Sequence, residues 1–369
     1  MKILFTCGGT AGHINPAVAL AGRFVKRHGA EILFVGADGG METQLGPREG
    51  YALKTVTISS FYRSISLNSL KHNLKTLRNL SLSDKQANAI LDEFQPDLVV
   101  GTGGYASYPV VKAAAKRGIP TAVHESNAFP GLTTKRLAKV VDKVMVGFEE
   151  SRQHYADPSR VEVTGTPVRE DFFTLTRQEA REKLGITDDK PVVVTTWGSL
   201  GALVMNEHMV DFVRRECADG APFHHIYGVG KRYYSKVMEA LADTDLHPHV
   251  DIREYIYDMP VVMAAADLVL SRAGASTISE LSATAHPAIL VPSPNVTANH
   301  QEKNARVLSD RGAAVLLLES ESSGEKLYTL VTDLVSHPEK LEEMRAKLRE
   351  NAISDANERI YQVLLGLMK

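Results

Sequence analysis

Short apolar runs without clean polar alternation recur along this 369-residue chain, separated by longer stretches of helical period. In the first half they occupy residues 3–7, 32–35, 98–100, 121–123, 144–146 and 161–163. In the second half they occupy residues 192–196, 225–227, 267–270, 288–291 and 314–318. Runs of this kind suit strands covered on both faces, and their alternation with helices makes each half a parallel α/β sheet. The turn-rich stretch Gly165-Thr166-Pro167-Val168-Arg169 reads as the joint. The expected architecture is two Rossmann-like α/β domains on one plan, over 1–165 and 166–350. A helical tail over 351–369 is expected to pack across the joint. Ligands bind beyond the carboxyl ends of such strands, so a central cleft faced by both parallel sheets is the expected site.

Two such domains are each long enough to bury a core. The only cysteines, Cys7 and Cys217, lie far apart and offer neither a disulfide framework nor paired zinc spacing. No stretch approaches the roughly 20 apolar residues of a spanning helix. The opening residues run straight into a glycine loop, as a first strand does and a signal sequence does not. The net charge of −2 conceals a split: residues 1–165 carry 20 Lys and Arg against 14 Asp and Glu, and the remainder 22 against 30. The first half is thereby suited to face something anionic.

The first strand leads into Gly8-Gly9-Thr10-Ala11-Gly12-His13, with Asn15 expected as N-cap, Pro16 as first helical residue and Gly29 as the stop. Glycines let backbone approach a ligand, and a helix N-terminus offers N–H groups to an anion. His13, expected in the loop ahead of that helix, is the candidate general base, since histidine titrates near about 6.5. A second loop, Gly101-Thr102-Gly103-Gly104-Tyr105, precedes a helix expected to open at Pro109, and a third strand exit is His124-Glu125-Ser126-Asn127. In the second half the comparable loops are Trp197-Gly198-Ser199-Leu200-Gly201 and Arg272-Ala273-Gly274-Ala275-Ser276-Thr277, continuing to Glu280. Thr277 and Glu280 have the spacing of a capping box, while the glycine turn also suits a diphosphate and the carboxylate a ribose diol.

Together with Pro292-Ser293-Pro294 and Asn299-His300-Gln301, these ordered loops resemble the MurG family of peptidoglycan N-acetylglucosaminyltransferases over essentially the whole chain. The resemblance implies a GT-B fold and inverting transfer of N-acetylglucosamine from UDP-N-acetylglucosamine to lipid I, giving lipid II. It implies no cofactor or metal, the nucleotide sugar being a substrate. His13 falls on the family's candidate base. Gly9, Thr10, Gly103, Gly104 and Tyr105 fall on the acceptor loops. Donor positions map onto Thr10, Gly12, His13, Asn127, Arg169, Ser199, Ile256, Gly274, Ala275, Ser276, Thr277, Glu280 and Gln301. Arg169 and Ser199 face the diphosphate, Ile256 the uracil and Glu280 the ribose. Departures from the family pattern are Ala11, Thr166, Trp197, Leu200 and His300.

A lipid acceptor implies a peripheral enzyme on the cytoplasmic face of the membrane, with partners among cell-wall synthesis proteins and no nucleic acid. Residues 61–83 contain Arg63, Lys71, Lys75 and Arg78 with no acid, and Leu67, Leu70, Leu74 and Leu77 form a stripe at helical spacing. Basic flank and apolar stripe fit docking on anionic lipid. The pair Asp243 and Asp245 reads as a solvated turn rather than a metal clamp, and His247-Pro248-His249 likewise is not read as a metal pair. The alternatives are a UDP-N-acetylglucosamine 2-epimerase, a related glycolipid transferase and a non-catalytic nucleotide-sugar binder.

Overall fold

The computed structural model describes residues 1–9, 11–40, 43, 49–58, 67–198 and 201–368, without the side chains of residues 11, 67–78, 80 and 297. Two compact units result, Met1–Arg169 with Ile353–Lys369, and Glu170–Ala352.

The first unit holds strands β1 (Lys2–Thr6), β2 (Glu31–Ala37), β3 (Ala52–Val56), β4 (Leu98–Gly101), β5 (Thr121–Glu125), β6 (Lys143–Val146) and β7 (Val161–Val163). They pair in the order β3-β2-β1-β4-β5-β6-β7, all parallel. The second unit holds β8 (Val192–Thr196), β9 (His224–Gly228), β10 (Val250–Arg253), β11 (Leu268–Ser271), β12 (Ala288–Leu290) and β13 (Val315–Leu316). Their order is β10-β9-β8-β11-β12-β13, again all parallel. One winding plan is therefore used twice, with the strand order reversing beside β1 and beside β8.

Burial follows the two-residue period of each strand. In β1, Ile3 and Phe5 join Ile14, Leu20 and Phe24 of the helix Ala11–His28, while Leu4 faces Ile90, Leu91 and Val110 across the sheet. Both faces are closed, so the strand reads as an unbroken apolar run. The C-terminal helix, Ala356–Leu367, belongs to the first unit and buries Ile360, Tyr361 and Leu364 against the helix Ala11–His28. Glu358 pairs there with Arg23 and Arg27. Hydrogen bonds, from Gln362 first and then from those arginines, hold its carboxyl down to about 2.

Several boundaries differ from those that spacing predicts. The first helix starts at Ala11, so His13 lies in its first turn, and Asn15 and Pro16 lie inside it. Pro16 lacks only the N–H that would reach Gly12, and so near a helix start this costs one bond. Gly29 does end the helix, at φ +60 with its N–H on Val25 O at 2.8 Å. The next glycine loop leads into Ser107–Lys116, two residues before Pro109. His124 and Glu125 end β5 rather than follow it. β3 is absent from the predicted runs because it is an edge strand with only Val56 fully buried.

Candidate active site

In the first unit the site elements converge at the carboxyl ends of β1, β4 and β5. Gly8 and Gly9 follow β1, and His13 Nδ1 donates to Gly8 O at 2.8 Å. That bond places a proton on Nδ1, so the neutral tautomer compatible with it carries its lone pair on Nε2. The loop after β4 packs on this arrangement. A Cβ on Gly103, at φ +113, would sit 2.5 Å from His13 Cδ2, and one on Gly104, at φ +80, would sit 2.2 Å from Gly8 O. Only glycine allows the two loops to lie backbone to backbone. The Thr102 hydroxyl donates to His13 O at 2.6 Å, and Ser107 Oγ donates to Thr6 O at 3.0 Å and to Gly103 O at 2.6 Å. Tyr105 Cε1 lies against Gly9, and Gly12, in the first turn of the helix Ala11–His28, is partly exposed. Thr10 lies outside the described residues.

At the end of β5 the buried carboxylate of Glu125 is an organiser that sequence reasoning did not single out. Its Oε1 accepts from Asn127 N at 3.1 Å and Asn127 Nδ2 at 2.9 Å, and its Oε2 from Gly131 N at 2.9 Å. Asn127 is thereby fixed in orientation. Complete burial pushes His124 below its usual value and keeps it neutral, with Nε2 donating to Gly165 O at 2.9 Å. Arg169 closes this unit.

The second unit repeats the plan at the ends of β8 and β11. Gly198 takes φ +87 after Trp197, and Ser199 and Leu200 lie outside the described residues. Trp197, read from the sequence as a departure from the family pattern, is 3 % exposed and packs in the core, with the Arg272 guanidinium 5.9 Å from its ring centroid. Arg272 is committed as well, donating to Val291 O at 3.0 Å and pairing with Glu319. Gly274 is the N-cap of the helix Ala275–Thr284. Thr277 is thus the third helical residue and Glu280 the sixth, so no capping box forms, and the cap has no side-chain hydrogen bond. A box needs its hydroxyl at the cap, and here a glycine occupies it. Ser276 Oγ, in the first turn, has no hydrogen-bond partner among the described residues.

Ile256 is buried against Gly228, between the exposed rings of Tyr255 and Tyr257. Gln301 Oε1 accepts from Ser293 N at 2.9 Å and so fixes the Pro292–Pro294 turn in place. Beside that turn a cavity of about 530 Å³ is lined by Pro292, Pro294, Asn299, Glu302, Leu318 and Glu319. Its volume falls in the usual range for a small-molecule site, roughly 300–1,000 Å³.

The leucine stripe does fall on a helix, Leu67–Phe94, whose later residues Ala87, Ile90 and Leu91 enter the core, while Arg63 lies outside the described residues. No described helix is long and apolar enough to cross a membrane. Elsewhere on the first unit a cavity of about 620 Å³ is lined by Leu132, Lys135, Arg136, Lys139, Asp157 and Arg160. Arg160 pairs with Asp157 at 3.2 Å, and Leu132 and Val140 nearby are 60 % and 48 % exposed. Asp243 pairs with Arg214 at 2.9 Å in a solvent-exposed turn.

Two parallel α/β units, each with glycine turns at the reversal of its strand order, are the layout of a GT-B fold. The glycosyltransferase family 28 N-terminal domain matches residues 3–146 and the family's C-terminal domain residues 192–360. A protein of Acetivibrio thermocellus named UDP-N-acetylglucosamine--N-acetylmuramyl-(pentapeptide) pyrophosphoryl-undecaprenol N-acetylglucosamine transferase is 42% identical over 370 residues, covering 100% of this chain and 99% of its own. The protein of the same name from Listeria welshimeri is 39% identical, with 100% of both chains covered. The crystal structure of MurG from Acinetobacter baumannii aligns with a TM-score of 0.75 at 25% identity, covering 99% of each chain. The chain belongs to the MurG family of glycosyltransferase family 28.

Gly103→Ala is expected to displace the His13 ring, because its Cβ would overlap Cδ2. A misplacement of about 1 Å lowers turnover by roughly 100-fold. The measurement is steady-state turnover beside a melting curve; wild-type turnover in a folded variant would mean that the ring's seat is immaterial.

Proposed function

We propose that this chain transfers N-acetylglucosamine from UDP-N-acetylglucosamine to undecaprenyl-diphospho-N-acetylmuramoyl-pentapeptide, with inversion, giving the disaccharide lipid of peptidoglycan synthesis. The end-to-end match to relatives named for this activity supports the reading, and the observation that carries it is the seat of His13. Its Nδ1–H is held by Gly8 O, so Nε2 is presented as a proton acceptor at the edge of the first sheet. On this reading His13 takes the proton from the acceptor hydroxyl, and Gly9, Thr10, Gly103, Gly104 and Tyr105 border the acceptor. Asn127, oriented by Glu125, serves the donor sugar.

The second unit holds UDP. The N–H groups opening the helix Ala275–Thr284, with Ser276, Thr277, Ser199 and Arg169, take the charge of the leaving diphosphate. Glu280 binds the ribose, the Ile256 backbone the uracil and Gln301 the sugar. No metal is required on this reading, the diphosphate charge being met by the helix N–H groups and Arg169 rather than by Asp243 and Asp245. The enzyme works as a peripheral protein on the cytoplasmic membrane face, docking on anionic lipid through the basic segment that holds Lys71, Lys75 and Arg78. The direct test incubates purified protein with radiolabelled UDP-N-acetylglucosamine and a lipid I analogue. Disaccharide-lipid should form, and conversion of the donor without any acceptor would favour an epimerase instead.

Four outcomes follow. His13→Ala should lower turnover by about 100-fold or more, the usual yield of a positioned base, with UDP affinity kept; wild-type turnover would remove His13 from that role. Glu280→Ala should cost donor binding about 1.5–3 kcal/mol of charge-assisted bonding. Glu280→Gln should recover only part of it, and intact binding in calorimetry would free Glu280 of the ribose. Activity should persist in EDTA; complete loss restored by magnesium would assign the diphosphate to a metal. Finally, replacing Lys71, Lys75 and Arg78 by Glu should abolish binding to anionic vesicles, since each cation contributes up to about 1 kcal/mol near such a surface. The variant should retain its melting temperature and its activity on a water-soluble acceptor, and unchanged vesicle binding would dismiss the docking surface.

A further inference from the structure

β8, β9 and β10 are adjacent and parallel, so their amino ends meet at the sheet edge opposite the Gly198 and Gly274 turns. Three potential ligands collect there. Asp188 lies four residues ahead of β8, His224 opens β9 and His249 immediately precedes β10. Backbone bonds fix their places, His224 N to Pro191 O and His225 N to His249 O, each at 2.8 Å. His224 Nε2 lies 2.9 Å from Asp188 Oδ1, and His249 Nε2 lies 3.8 Å from Asp188 Oδ2. The two imidazole centroids are 4.2 Å apart, and one ligand atom from each of the three residues lies within 4.8 Å of the others.

We propose that Asp188, His224 and His249 bind a divalent transition cation, zinc above all, which clips the amino ends of three strands together away from the transfer chemistry. Two imidazole nitrogens and one carboxylate oxygen suit zinc, with water as the fourth ligand. Zinc–ligand bonds of about 2.1 Å put tetrahedral ligand atoms about 3.4 Å apart; the carboxylate offers a different oxygen to each imidazole, Oδ1 at 2.9 Å from His224 Nε2 and Oδ2 at 3.8 Å from His249 Nε2, on either side of that spacing. In the metal-free site His224 Nε2–H donates to Asp188 Oδ1, and a bound metal takes the place of that proton. With metal on Nε2, His249 carries its proton on Nδ1, which lies 3.4 Å from Ala221 O and can donate to it. In the metal-free site Lys190 Nζ donates to Ala221 O at 3.1 Å and lies 3.3 Å from His249 Nδ1, so metal on Nε2 requires the ammonium to turn wholly to Ala221 O. Arg181, 3.7 Å from Asp188 Oδ1, also donates to the backbone carbonyls of Asp188 and Lys190, and its charge holds the affinity to a moderate level. His247 stands outside the triad, its Nδ1 accepting from His249 N at 3.2 Å.

The test titrates the full-length protein, stripped with EDTA and desalted, with zinc against a chromophoric competitor, and with cobalt in the visible range. One equivalent should bind with micromolar affinity, with a tetrahedral cobalt spectrum and a melting temperature that rises with zinc. His224→Gln and His249→Gln should each weaken binding at least tenfold, while His247→Gln leaves it unchanged and none of the three alters the transfer rate. Failure of the wild type to bind one equivalent would overturn the site. So would loss of binding in His247→Gln but not in His224→Gln, which would put the ion on the sequence-adjacent pair. Metal-free melting curves check each fold, and Asp188→Asn, on a half-exposed carboxylate, supplies the same readout should a histidine variant unfold.

Discussion

A parallel sheet is covered on both faces only when its crossovers leave in both directions, and in this chain they change direction beside β1 and again beside β8. At each reversal the two neighbouring loops part to opposite faces and leave strand ends uncovered. Bordering those openings are Gly8, Gly9 and the start of the helix Ala11–His28, with Gly103 and Gly104, in the first unit, and Gly198 with Gly274 in the second. Strand pairing thus chooses the positions where a ligand can meet backbone, and side-chain chemistry is then added to them.

Holding two glycine loops in contact leaves polar backbone to be satisfied without water, and short hydroxyl side chains do this. Thr102 serves the His13 carbonyl, while Ser107 serves Thr6 and Gly103. Each such bond contributes only about 1 kcal/mol net, but an unpaired buried group costs about 1–3. The small hydroxyls therefore act mainly by preventing loss, and they hold the His13 main chain still while Gly8 O orients its ring. Glu125 performs the same task for Asn127 and Gly131 with a single carboxylate.

The strands were legible because burial on both faces leaves plain apolar runs, as in β1 and β8. β3 was not, since Leu53, Lys54 and Thr55 are only partly covered at the sheet edge. The loops were legible as glycine clusters, but helix starts within them were misplaced. Pro16 and the spacing of Thr277 and Glu280 imitate start signals, but the helices begin at Ala11 and Ala275. Glu125 carries no local signature; its role depends on a turn that brings Gly131 back to it. The Asp188, His224 and His249 cluster depends on the register of three strands, which no single segment of sequence contains.

Arg272 marks where charge reasoning from sequence needs the structure most. Beside Gly274, it has the position of a diphosphate clamp. Its guanidinium is instead divided between Glu319, the carbonyls of Val291 and Pro292, and the face of Trp197. Detaching it would strand the Glu319 carboxylate, whose side chain is only 13% exposed, and breaking a buried ion pair from one side costs about 3–5 kcal/mol. A leaving diphosphate would have to supply that energy before gaining anything from the cation. Arg272 is better suited to brace the β11 and β12 turns, with Trp197 filling the space beneath. The helix N–H groups need no such release, because at an N-terminus they have no intrahelical partner to lose. On the proposed reading, the anion therefore meets donors that are already oriented, and the fixed cation beside them sets the shape of the turn.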